Sequence, residues 1–203
     1  MGGQSSSTGV RLLEARGSEL QPWLDAVAAL RIEVFRDWPY LYRGSLDYER
    51  SYLSTYSSSP RAFFVLAVDG DQVVGASTAI PLSDEAESFH RAFVQRGIAL
   101  NQVFYFGESV LRNAYRGRGL GHAFFDAREA EARRGGFRMT AFCAVEREQN
   151  DPRRPLDYRP NDAFWAKRGY QKQSDMHCEI EWPETDHGPG LSHRLSYWLR
   201  NAA

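Results

Sequence analysis

The chain has 203 residues, 42% of them hydrophobic and 25% charged, a globular composition that can bury roughly 70% of its unfolded surface without disulfides or metals. No apolar run approaches the ~18 residues of a membrane span. The net charge of −1 speaks against a general nucleic-acid binder, whose phosphate contacts need a basic surplus.

Residues 1–10 are rich in Gly, Ser and Thr with no hydrophobic stretch behind them, and read as a disordered tail or cloning remnant. Trp23, Val27, Leu30 and Val34 recur at helical spacing, with Pro22 in the opening turn and Pro39 and Gly44 closing the segment. A second helix is expected over 45–56, with Ser45 as N-cap and Tyr48, Tyr52 and Tyr56 one turn apart. Two apolar, β-branched and aromatic runs, 61–68 and 72–80, flank Asp69-Gly70-Asp71, a strong hairpin signal. Residues 84–96 look helical through Phe89 and Phe93, and Val103–Leu111 reads as an aromatic-rich strand. Over 119–134 Leu120, Ala123, Phe124, Ala127 and Ala130 form one apolar helical face, stopped by Gly135-Gly136. Arg128, Glu129, Glu131, Arg133 and Arg134 on that helix read as surface charge. The run 137–145 is near-continuously apolar, as in a strand buried on both faces. A charged, Pro-rich loop over 146–160 precedes a short helix at 163–167 and a last strand over 176–182. From about residue 183 a Gly/Pro segment leads to Leu191, Leu195, Trp198 and Leu199 at helical spacing. That apolar face has to dock on the domain itself or on a second copy in a homodimer.

The stretch that carries chemistry follows the 103–111 strand: Arg116-Gly117-Arg118-Gly119-Leu120-Gly121, running directly into a helix. A glycine-rich turn at a helix start aims free backbone N–H groups at one spot, where the helix dipole also favours anions. Glycine lets a phosphate approach the backbone closely, and Arg112, Arg116 and Arg118 add positive charge. A P-loop would need Gly-Lys-Ser/Thr where Gly121-His122 stands. The dinucleotide fingerprint would need Gly at 122 and a place at the first strand of a parallel sheet. A phosphate or pyrophosphate cradle of another kind remains.

These residues resemble a known family. Arg116-x-x-Gly119-x-Gly121 matches the Q/R-x-x-G-x-G/A acyl-CoA motif of the GNAT superfamily of N-acetyltransferases, together with its preceding strand, following helix and apolar strand. Asn161 to Tyr170 is similar to the superfamily's second motif, and the order of elements agrees over about residues 20–182. The resemblance implies an α+β fold, a mixed, mostly antiparallel sheet flanked by helices, in a single domain over 11–203. It implies acetyl-CoA as cosubstrate, with pyrophosphate on the backbone of Gly117, Arg118, Gly119, Leu120, Gly121 and His122 beside Arg116. Pantetheine would lie along Val110 and Leu111, with Asn161 touching it and Trp165 also among the cofactor-binding residues, and an amine acceptor, small molecule or protein, would receive the acetyl group by direct attack in a ternary complex.

An attacking ammonium must first lose a proton. Glu108 is the first ionisable group on an otherwise apolar strand and the leading base; its competing reading is a structural carboxylate paired with an Arg. The family's usual proton donor is a Tyr in the second motif, where this chain has Trp165, which has no acid usable at neutral pH. Tyr158, just upstream, is the first substitute; Tyr105 and solvent are others. Trp38, Tyr40 and Tyr42 stand where the superfamily places its acceptor loop and could wall an aromatic pocket. The two cysteines, Cys143 and Cys178, form no CxxC pair, and the five histidines have no ligand spacing. No metal is therefore expected, and a cytoplasmic setting is the default. Two rival readings are a CoA-binding protein with lost or regulatory activity, suggested by Trp165, and a nucleic-acid module built on Arg-Gly-Arg-Gly.

Overall fold

The hairpin turn forms where the Asp-Gly chemistry places it. Gly70, at φ +58°, reverses the chain between β2 (Phe63–Asp69) and β3 (Gln72–Pro81). The computed structural model describes residues 9–185 and 190–202. The expected tail at 1–10 therefore lies almost wholly outside the described residues. Around the hairpin stand β1 (Arg11–Arg16), β4 (Val103–Leu111), β5 (Met139–Val145), β6 (Gln171–Trp182) and β7 (Leu191–Asn201). Among the described residues these seven strands form one sheet of order β1-β2-β3-β4-β5-β7-β6. Every neighbouring pair is antiparallel except β4 and β5.

Side chains of a strand alternate between faces, and here both faces are covered. Phe64, Leu66, Val103 and Tyr105 pack in one core with residues of α1 (Leu24–Phe35) and α2 (Leu46–Ser58). Phe63, Val65, Phe104 and Phe106 pack in the other with residues of α4 (Leu120–Arg134) and α5 (Asp162–Lys167). Burying each such Phe stabilises by roughly 1.5–3 kcal/mol, so β2 and β4 anchor both layers. Ser45 caps α2 through its hydroxyl, which accepts from the Tyr48 N–H. The mixed, mostly antiparallel sheet with flanking helices is the architecture that the family resemblance implies.

Three local expectations are corrected, and one strand is added. The C-terminal run is the strand β7, inserted between β5 and β6, and not a helix. Leu195 to Leu199 are all buried, and an interior strand that needs apolar residues on both faces imitates helical spacing. The 84–96 segment holds 3-10 turns and a short α3 (Arg91–Gln95). There the Asp84 carboxylate accepts from the Ser59, Ser83 and Arg61 side chains, local bonding that competes with a helix. The first strand, β1, escapes sequence reading because it is a short edge strand with Arg at both ends, as edges tend to be. Arg128 and Glu129 are buried, not surface charge.

Candidate active site

Glu108 occupies a β-bulge. Along β3 the register advances two residues, Ser77 to Ala79, while β4 advances three, Ser109 to Phe106. The extra residue re-aims the side chain, as bulges do. Gly107 makes the bulge sterically possible: a Cβ there would stand 2.0 Å from the Tyr56 hydroxyl and 2.6 Å from Thr78 Oγ1. Arg128 braces it from the opposite layer. Its guanidinium donates to the carbonyls of Glu108 (3.1 Å) and Thr78 (3.3 Å) and to Ser109 Oγ (2.8 Å), and burial pulls its pKa down to about 10.

Glu108 is 93% buried, and its carboxylate is divided in use. Oε2 accepts from Arg31 at 2.5 Å and from the Tyr52 hydroxyl at 3.3 Å, whereas Oε1 is buried with no hydrogen-bond partner. Arg31 also pairs with Glu49 and lies 4.2 Å above the Tyr52 ring. Burial alone would lower the Arg31 pKa, but Glu108, Tyr52 and Glu49 hold it well above the ordinary value. Sequence reading missed Arg31 because, in an amphipathic helix, an Arg ordinarily faces water.

Glu108 lines a cavity of about 230 Å³ on the α1–α2 side of the sheet. Its walls include Phe35, Tyr40, Tyr42, Phe89, Tyr105 and Trp182. Tyr40 and Tyr42 thus fulfil the aromatic-wall expectation, while Trp38 packs edge-on against Tyr158 instead. Tyr40 is wedged between Phe35 (4.4 Å) and Trp182 (5.7 Å). Arg147 fixes the loop, donating to the carbonyls of Pro39 and Tyr40 while pairing with buried Glu184. A second carboxylate, Glu85, also lines the cavity and is 94% buried. Its Oε1 accepts from the Ala86 N–H at 3.0 Å and Oε2 has no partner in hydrogen-bond geometry. Burial raises its pKa, against the pull of the Ala86 amide and the Tyr56 hydroxyl. No motif marks Glu85; only the fold brings it to Glu108. Cys143 faces the cavity as a free thiol against the Tyr105 hydroxyl (2.9 Å), and burial pushes its pKa well up. It is therefore a poor nucleophile. Distant in sequence, Cys143 and Cys178 interact from strands on either side of β7.

Beyond the bulge the sheet opens. The parallel register of β4 and β5 ends at Tyr105 and Ala141, so residues 106–111 pair with β3 and leave a wedge toward β5. The Arg112 N–H bonds the Val74 carbonyl. Alternation along the strand then commits Val110 to β3 and turns the Leu111 backbone into the wedge, where its carbonyl accepts from Arg116 Nε at 3.3 Å.

The wedge leads to the start of α4. Gly117 and Gly119 have φ of +75° and +82°, and a Cβ on either would project into open space. Gly119 is the N-cap, in the left-handed region with no side-chain cap, so the amides of Leu120, Gly121 and His122 begin the helix without intrahelical acceptors. This geometry fits a diphosphate: bare backbone, a helix N-terminus and Arg118 above Tyr115 at 5.1 Å. Arg112 is held by Glu33, so it is less available to an anion.

The second-motif residues flank this path. Asn161 is exposed and precedes α5, its carbonyl accepting from the Trp165 N–H. Trp165 packs on Phe142 (5.0 Å) and Trp198 (5.2 Å). Tyr158 lies outside the cavity lining; burial and then Asp162 raise its pKa, with Arg154 and Arg116 opposing. Among the described residues no group of three or more His, Cys, Asp or Glu is placed to hold a metal ion, and no helix is long and apolar enough to cross a membrane.

Solved structures with this fold include yncA from Salmonella typhimurium with its cofactor acetyl-CoA (12% identity, TM-score 0.56, covering 96% of this chain and 95% of the other). A ribosomal-protein-alanine N-acetyltransferase from Brucella melitensis aligns at 13% identity and TM-score 0.58, over 93% and 99% of the two chains. An acetyltransferase from Thermus thermophilus aligns at 18% identity and TM-score 0.57, over 94% and 96%. No curated protein matches by sequence. The model of the acetyltransferase (GNAT) family matches residues 27–156, more than half of the sequence, from within α1 through the glycine turn and β5, and the chain belongs to that family.

Proposed function

We propose that the chain transfers the acetyl group of acetyl-CoA to a primary amine seated in the aromatic cavity, with both reactants bound at once. One observation carries the reading: β4 links a buried carboxylate oxygen at the cavity, Glu108 Oε1, to the Leu111 backbone in the wedge and the bare glycine cradle beyond it. Leu111 lies three residues from Glu108, about 10 Å along a strand, so the two ends of one rigid element set the distance between cofactor and acceptor. The acetyl-CoA-bound Salmonella relative and the N-acetylating Brucella relative support this reading.

Acetyl-CoA supplies an activated thioester carbonyl and a thiolate leaving group. The backbone amides at 119–122, with Arg116 and Arg118, would hold its pyrophosphate, and the Leu111 backbone and Asn161 its pantetheine. Glu108 Oε1 would take the amine proton, directly or through a water, while Arg31 and Tyr52 fix the carboxylate through Oε2. Tyr158 would return a proton to the departing sulfur; its hydroxyl is kept neutral by burial and Asp162. Trp165, packed against Phe142 and Trp198, offers no such proton. Most of the acceleration would come from positioning the two reactants.

The test is thiol release from acetyl-CoA by the purified protein across primary amines. Amine-dependent release that is lost in Glu108→Gln, with acetyl-CoA affinity retained, is the expected result. Acetyl-CoA binding with no release above the protein-free rate for any amine would overturn the transferase reading in favour of a CoA-binding protein without activity.

A further inference from the structure

The cavity holds two features whose combination singles out a type of acceptor. Its walls are mainly aromatic and aliphatic, and of the two carboxylates that line it, Glu85 and Glu108, one oxygen each, Glu85 Oε2 and Glu108 Oε1, is buried with no partner in hydrogen-bond geometry. Buried acceptors left unpaired are costly and call for a donor. An ammonium group offers three donors and is also attracted by the faces of Tyr and Trp rings. Among the described residues that line the cavity, Arg31 is the only cationic side chain, and it is already engaged by Glu49 and Glu108. A carboxylate on the acceptor would therefore meet no free cation and two buried carboxylates.

Resting on the acetyl-transfer reading above, we propose that the acceptor is a primary amine on an aromatic or branched apolar skeleton, without a carboxylate, and that Glu85 is the residue that recognises its charge. The cavity volume of about 230 Å³ fits one ring and a short alkyl arm rather than a folded protein segment. Glu85 stands on the loop that follows β3, apart from the bulge. It can grip the ammonium while Glu108, held by Arg31, accepts the proton.

The experiment compares 2-phenylethylamine with L-phenylalanine, ethylamine, spermidine and an alanine-terminated peptide as acceptors, by thiol release. Amine binding to the CoA-loaded protein is measured separately by calorimetry, with 2-phenylethanol as the uncharged analogue. The expected result is a kcat/KM for 2-phenylethylamine at least ~10-fold above every comparator, the L-phenylalanine penalty coming from its carboxylate. Glu85→Gln should raise its KM about 10-fold or more with kcat within about threefold, since it removes binding of the charge and not proton transfer. It should also shrink the calorimetric preference for the amine over the alcohol, with Glu85→Asp restoring part of it and acetyl-CoA affinity unchanged throughout. A comparator equal to or better than 2-phenylethylamine, or an unmoved KM in folded Glu85→Gln, would overturn the inference. The two readings fail separately. Amine binding through Glu85 without thiol release keeps the pocket and sinks the transferase, whereas release with other amines but no binding of 2-phenylethylamine does the reverse.

Discussion

Arg31 and Glu108 meet at 2.5 Å at the edge of the cavity, one on α1 and the other at the bulge of β4. The same guanidinium reaches Glu49 on α2, so three elements converge on one cation. The pairing fixes one Glu108 oxygen and leaves the other, Oε1, free. A carboxylate can thus be both an Arg partner and a group able to accept a proton.

Replacing Glu108 by Gln keeps the shape but removes the proton acceptor. The variant should lose kcat by about 10² or more while acetyl-CoA affinity stays put, as measured by thiol-release kinetics and calorimetry. Its melting temperature should fall too, because Arg31 loses one of two buried partners. A folded Glu108→Gln enzyme with unchanged kcat would remove Glu108 from the chemistry.

Gly107→Ala tests the bulge itself. The added methyl would collide with the Tyr56 hydroxyl and Thr78, an overpacking that costs roughly 1–3 kcal/mol. For a chain of this size each kcal/mol lowers Tm by about 2–4 °C. Thermal melting should show that drop, and Tyr56→Phe added to Gly107→Ala should recover part of it.

Tyr158→Phe should lower kcat by ~10² with little change in KM for the amine. The hydroxyl is held above the ordinary tyrosine range by burial and Asp162. The wild-type rate should therefore show no alkaline fall from this group below about pH 10. Unchanged kcat in the variant would leave proton return to solvent or Tyr105.

Two buried carboxylates should pull stability in opposite directions with pH. Burial raises the Glu184 pKa, but Arg153 and Arg147 outweigh it, so the net shift is down. A lowered folded pKa gives stability present above the unfolded value, about 4.3, and lost as pH falls through the folded one. Glu85 is shifted up by burial, so its contribution is present below that unfolded value and lost as pH rises through its raised pKa. In melts across pH, Glu184→Gln should flatten the acid fall, whereas Glu85→Gln should gain on the wild type as pH climbs past the carboxylate range.

What the sequence disclosed follows from what local patterns encode. The Asp-Gly hairpin, the Ser45 cap, the glycine turn before α4 and the apolar β5 are written in neighbouring residues, and each forms as read. The identity of the β7 strand is not, because its residues from Leu195 to Leu199 are buried whatever the period. Arg31, Glu85 and the bracing role of Arg128 depend on contacts between elements far apart in the chain. Arg128 has the composition of a solvated helix face and is nevertheless fully buried beneath the bulge. Of the candidate site, the glycine turn before α4 was legible and the cavity's charge arrangement was not.

The most direct measurement is calorimetric titration with acetyl-CoA of the wild type and Gly119→Glu. The added carboxylate would stand in the open space above the α4 N-terminus, where pyrophosphate charge would lie. Micromolar binding by the wild type, abolished in the variant while its melting transition persists, is the predicted result. Equal binding by both proteins, or none by the wild type, would contradict the account.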